Sequence, residues 1–136
     1  MSVVLDSSVA LAWCFEDELT DSLRHLLQHV SEHGAVVPSL WRYEVANGLQ
    51  ISIKRKRIGE VERDRQLSNL AILDIRLDEQ CESLAWSATV KLSALYGLTV
   101  YDAAFLELAQ RRRLPLATLD AALAQAARAA GVDLAL

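Results

Sequence analysis

Three apolar residues followed by an acid and two hydroxyls, Val3-Val4-Leu5-Asp6-Ser7-Ser8, constrain the fold of this chain more than any other stretch. No polar residue alternates with Val3, Val4 and Leu5. Such a run reads as a strand covered on both faces, as found in the middle of a parallel sheet under helices. A helical pattern, Val9 to Cys14, follows at once. In open α/β sheets ligands bind just beyond the carboxyl ends of the strands, and Asp6 stands at such an end. Asp and Ser are also favoured N-caps, so Asp6 has two readings, helix cap or functional acid.

The rest of the chain repeats the alternation. Ala35-Val36-Val37 is a second strand, ended by Pro38 and Ser39. Ile72 to Leu77 alternates apolar and polar residues, as a strand near a sheet edge does. Pro115 to Leu119 is a further strand ending in Asp120, and Val132 to Leu136 closes the chain as a last one. Helical periodicity fills the intervals: Thr20 to Gly34, Leu40 to about Arg57, Glu60 to about Leu70, Asp78 or Glu79 to Gly97, Thr99 onward, and Ala121 to Ala130. This order predicts one three-layer α/β/α domain over residues 1–136, with a mostly parallel central sheet. Hydrophobic residues make up 52% of the chain, enough for a packed core.

Cys14 and Cys81 are too few and too far apart for a disulfide framework or a zinc knuckle, so buried thiols are expected. No signal peptide precedes Val3, and no apolar run reaches the ~20 residues that a membrane span needs. A cytoplasmic protein with no membrane partner is the expectation. His25, His29 and His33 recur every four residues opposite the apolar face of their helix. Two of them could bind zinc, but no third ligand and no H-E-x-x-H accompany them, and a solvent-facing stripe is the simpler reading.

Three further acids have unusual places. Glu44 lies a turn from Leu40, Trp41 and Gly48, on or beside an apolar stripe, where an unpaired acid is costly. Asp102 has capping-box spacing from Thr99 yet shares its face with Leu106 and Ala109. Asp120 ends a strand and could cap the helix that follows. Each acid alone has a bland role. Together, in a parallel sheet, their places converge on one edge.

The pieces Val4-Leu5-Asp6-Ser7-Ser8, Glu44 after Pro38-Ser39-Leu40-Trp41, Tyr101-Asp102-Ala103-Ala104 and Leu116-Ala117-Thr118-Leu119-Asp120 resemble, in this order, the PIN-domain ribonucleases. Within them the likeness is to the VapC toxins of bacterial VapBC toxin–antitoxin pairs. The resemblance spans essentially the whole chain. It implies a metal-dependent endoribonuclease with a four-acid site, acting on RNA, restrained by a VapB-type antitoxin and working as a homodimer. Asp6, Glu44, Asp102 and Asp120 would be the catalytic and metal-binding acids, with Asp6 and Asp102 the direct ligands. Ser7 and Thr118 would orient water or carboxylate.

The physics is compatible. Carboxylates ~5 Å apart repel by about 3 kcal/mol per pair at an effective dielectric of ~20. All-oxygen ligation of such a cluster selects a hard cation, Mg²⁺ or Mn²⁺. The formal charge of −4 comes from 18 acids and 14 bases; with four acids around a metal, the remaining surface is balanced. RNA must then be held by flanking cations. Arg42 and the run Lys54, Arg55, Lys56 and Arg57 are the candidates, while Arg111-Arg112-Arg113 reads as a helix C-terminus. Two other readings stay open. A phosphotransferase of the haloacid-dehalogenase type wants a second acid where Ser8 stands, and a catalytically silent binding module would keep the same acids without cleavage.

Overall fold

The computed structural model describes all of residues 1–136. Its strands are β1 (Val3–Leu5), β2 (Ala35–Val37), β3 (Ile75–Leu77) and β4 (Leu116–Ala117). They form one all-parallel sheet in the order β3-β2-β1-β4. The helices are α1 (Ser7–Trp13), α2 (Asp21–His33), α3 (Leu40–Lys54), α4 (Glu60–Ile72), α5 (Cys81–Leu84), α6 (Val90–Tyr96), α7 (Val100–Arg112) and α8 (Ala121–Ala129). A single 3₁₀ turn, Glu16–Glu18, follows α1. The three-layer α/β/α expectation holds: α1 to α4 pack on one another, α5 to α8 on one another, and α7 lies against β1.

The strand order positions the site. The chain steps outward from β1 to β2 to β3, then returns to place β4 on the other side of β1. Connections therefore diverge between β1 and β4, the topological switch point where such sheets bind ligands. Asp6 follows β1, and Thr118 and Asp120 follow β4.

Local chemistry explains the boundaries. Val3, Val4 and Leu5 are buried to within 1% on both faces, as their unbroken apolar run requires. Thr20 caps α2 by accepting the Leu23 N–H at 3.2 Å. Gly34 ends it at φ +77°, where a Cβ would also stand 2.8 Å from the Asp74 carbonyl oxygen. Gly48 lets α1 and α3 approach: a Cβ there would fall 2.6 Å from Leu11 Cδ1. That contact brings α3, which carries Glu44, against the helix that starts at Asp6.

Three sequence expectations change. The edge strand begins at Ile75, not Ile72, because α4 carries its periodicity through Ile72 and Leu73 serves as its C-cap. The helix expected from Asp78 or Glu79 to Gly97 is interrupted by a π turn over Ala85–Thr89. The closing strand Val132–Leu136 reduces to a single parallel bridge, Leu134 to Leu116, because β4 is only two residues long. No single helix is long and apolar enough to cross a membrane.

Candidate functional site

Asp6 occupies the N-cap position of α1 but makes no capping bond with its side chain. Its carboxylate instead faces the switch point, buried to 4% exposure. Ser8 Oγ donates to Asp6 Oδ2 at 2.8 Å and Thr118 Oγ1 donates to the same oxygen at 2.7 Å. Of the two readings that the sequence left open, the cap is therefore not the one this side chain serves. Ser7, expected beside it, sits 3.5 Å from Oδ1, at the limit of a hydrogen bond.

Glu44 lies half-buried on α3. Its Oε1 is enclosed and has no hydrogen-bond partner. Burial, the Asp6 charge and the Asp102 charge push its carboxyl up to about 7, against a smaller relief from the Ser7 hydroxyl. Asp102 behaves alike: burial first, then the charges of Asp120 and Asp6, raise it to about 6. Thr99 caps α7 by accepting the Asp102 N–H at 3.1 Å, so one half of the expected capping box forms. Asp120 keeps its bland role too, since its Oδ1 accepts the Ala122 N–H at 2.9 Å and the Leu123 N–H at 3.4 Å. It caps α8 and presses on Asp102 at once.

The structure thus brings Asp6, Glu44, Asp102 and Asp120 into one electrostatic neighbourhood, and none of the four takes part in an ion pair. It does not draw any three of them to ligating distance of a common point. The histidine stripe forms no such group either: His29 Nε2 pairs with the Met1 carbonyl at 2.7 Å, and its ring lies 4.6 Å from that of His33, tilted by 39°.

The basic candidates divide. Arg42, Lys54, Arg55 and Lys56 are exposed. Arg57 is engaged: its guanidinium pairs with Asp17 at 2.9 Å and Glu18 at 2.8 Å and lies 3.8 Å over the Phe15 ring. It clasps the α3–α4 turn to the 3₁₀ segment. Sequence reading missed a second buried acid group, Asp78 and Glu107. Arg111 pairs with both, at 2.9 and 2.7 Å, and Arg112 reaches Asp78 at 2.8 Å. The four-residue spacing of Glu107 and Arg111 was its available signal. Ser8 was also missed; it lies two residues past Asp6, where a first-turn hydroxyl folds back on the acid before it. Cys14 and Cys81 are free and buried, and burial raises their thiols to about 11 and about 12, out of the range of nucleophiles at neutral pH.

A parallel sheet with this switch-point acid pocket defines a recognisable class of α/β domain. The sequence pattern of the PIN domain matches residues 3–129, and the chain belongs to the PIN-domain family. A relative, Ribonuclease VapC3 of Pyrobaculum aerophilum, is 29% identical over 125 residues, which is 92% of this chain and 94% of the relative. The crystal structure of PAE2754, from the same organism, matches with a TM-score of 0.64 at 21% identity, over 93% of this chain and 84% of that one; the likeness is one of fold.

Proposed function

We propose that this protein is a divalent-metal-dependent endoribonuclease, the toxin of a toxin–antitoxin pair, with Asp6, Glu44, Asp102 and Asp120 as its site. One observation carries the reading: Glu44 holds an enclosed carboxylate oxygen with no partner, beside two more acids and no cation. A buried acid so placed is costly unless something positive meets it. The donor set, all carboxylate oxygens with hydroxyls behind them, fits a hard cation such as Mg²⁺ or Mn²⁺. The name of the relative VapC3 supports ribonuclease chemistry and a VapB-type antitoxin as partner.

Asp6 and Asp102 would hold the ion, with Glu44 and Asp120 completing the set. When bound, the ion would polarise the scissile phosphodiester and lower the pKa of an attacking water. The protein's own residues supply the rest. Ser8 and Thr118 fix the Asp6 carboxylate, Ser7 bears on Glu44, and Thr99 and the α8 N-terminus fix Asp102 and Asp120. Lys54, Arg55, Lys56 and Arg42 offer phosphate contacts along the RNA, without reading its sequence. A homodimer is proposed on the same family likeness, with Trp86, 95% exposed, as an apolar residue that a second copy would cover.

Asp6→Asn tests the reading. Removing a ligand carboxylate should cost several kcal/mol of transition-state stabilisation, or about 10³-fold in RNA cleavage with Mn²⁺. Full cleavage by the variant, or wild-type cleavage that survives a chelator, would exclude it. An absence of cleavage under every divalent metal, with a protein partner still bound, would leave the silent binding module.

A further inference from the structure

Asp6 is tethered in a way that no other acid of the pocket is. Both hydroxyls on its Oδ2 are themselves acceptors from the loop between β4 and α8. Ser8 Oγ takes the Leu119 N–H at 3.0 Å, and Thr118 Oγ1 takes the Asp120 N–H at 3.0 Å. A hydroxyl has one proton to give, so its direction on each arm is fixed: N–H to O–H to carboxylate. The two arms share the backbone of residues 118–120 at one end and a single carboxylate oxygen at the other. They close a ring.

We propose that Ser8 and Thr118 act as a two-armed clamp that saturates Asp6 Oδ2, reserves Oδ1 for a divalent cation, and sets Asp120 in register with Asp6. This rests on the metal-dependent reading above. Oδ2 has two lone pairs directed at donors, and the clamp fills both, at 2.8 and 2.7 Å. Oδ1 meets only Ser7 Oγ, at 3.5 Å, too far to compete. The same ring holds the Asp120 N–H while Asp120 Oδ1 caps α8, so Asp120 cannot turn without straining the clamp. Chained donors polarise one another, which makes the pair stiffer than two separate bonds. Ser8 and Thr118 are thus positioning residues, and Ser8 bridges two loops that meet only in the folded chain.

The test titrates the full-length protein with Mn²⁺ alone, without RNA, by electron paramagnetic resonance. Amide hydrogen exchange is read in parallel without metal. Ser8→Ala and Thr118→Val should each weaken Mn²⁺ binding about tenfold, the lower end of what outer partners of a metal site contribute. The double variant should lose little more than either single one, because one broken arm already frees the carboxylate. Ser8→Thr, which keeps the hydroxyl, should restore binding. The Leu119 amide should exchange faster in Ser8→Ala, and the Asp120 amide in Thr118→Val. Should Ser8→Ala fail to fold, Thr118→Val breaks the other arm and carries the same expectation. Wild-type affinity in Ser8→Ala overturns the clamp while sparing the metal reading, and so does a double variant whose losses simply multiply. A wild-type protein that takes up no Mn²⁺ overturns both.

Discussion

Two groups of buried carboxylates lie in this small domain, and they are built on opposite rules. Asp78 and Glu107, with side chains 1% and 5% exposed, are met by the Arg111 guanidinium, and Asp78 by Arg112 as well. Burial alone would raise Asp78, but Arg111, the Gln80 N–H and Cys81 outweigh it and hold the carboxyl well below the usual range. Glu44 and Asp102 are less deeply buried, yet they are pushed up, first by burial and then by the charges of neighbouring acids, with no cation to offset either. Burial is common to both groups. What differs is counter-charge: the first group is neutralised from within the chain, and the second is neutral only if protons or cations come from outside. The chain carries 14 bases, and none of them forms an ion pair with Asp6, Glu44, Asp102 or Asp120.

The largest effect should come from removing the internal counter-charge. Arg111→Met leaves Asp78 and Glu107 enclosed, with only the half-exposed Arg112 still reaching Asp78. Breaking a buried pair by deleting one partner typically costs about 3–5 kcal/mol. For a domain of this size that is roughly a 10 °C or greater fall in Tm. Urea and thermal melts read it directly. A loss below about 1 kcal/mol would show that the network is no more than surface pairing and would erase the contrast between the two groups of acids.

Removing charge from the other group should have the opposite sign. Glu44 titrates near 7 in the folded chain against an ordinary 4.5, and Asp102 near 6 against 3.8. Between about pH 4 and 7 the native state holds protons that the unfolded chain has released. The stability that these bound protons contribute to the metal-free protein should therefore fall as pH rises through that window and be gone above about pH 7, where the curve levels off. Glu44→Gln should flatten that slope and raise metal-free stability at pH 7.5 by about 1 kcal/mol, a figure already reduced for partial exposure. It should also weaken cleavage. Unfolding midpoints across pH 4.5–8 check both the slope and its flattening, and an unchanged slope in the variant would mean that Glu44 is not the titrating group. Mn²⁺ at 100 times its Kd should add about 2.7 kcal/mol to the wild type, and less to Glu44→Gln.

Much of this contrast was legible in the chain, but unevenly. Asp6 and Asp120 could be placed because a strand announces its own end, and the switch point follows once helices and strands alternate. Glu44 was visible as an acid on an apolar stripe. The choice between Ser7 and Ser8 was not visible: adjacent hydroxyls share every sequence cue, and only the fold-back of the first turn of α1 decides which one reaches Oδ2. Arg57 looked like its neighbours Lys54 to Lys56 because Asp17, Glu18 and Phe15, which capture it, belong to a distant segment. The tail from Val132 to Leu136 carried the right residues for a strand. β4 stops at Ala117, since Thr118 turns its hydroxyl to Asp6, and so leaves that strand almost nothing to pair with.

Asp120 belongs to both rules, and it allows the smallest but cleanest separation between them. Its Oδ1 caps α8, a structural duty that an amide oxygen performs equally well. Its charge raises Asp102, a duty that only a carboxylate performs. Asp120→Ala should lose the cap and cost about 1 kcal/mol. Asp120→Asn should keep the cap and relieve Asp102, so metal-free stability at pH 7 should hold or rise by a few tenths of a kcal/mol. Both variants should bind Mn²⁺ less well. If Asp120→Asn binds Mn²⁺ as tightly as the wild type, the cap is the whole of what Asp120 does. The four acids then become three, and the pocket's charge is set by Asp6, Glu44 and Asp102 alone.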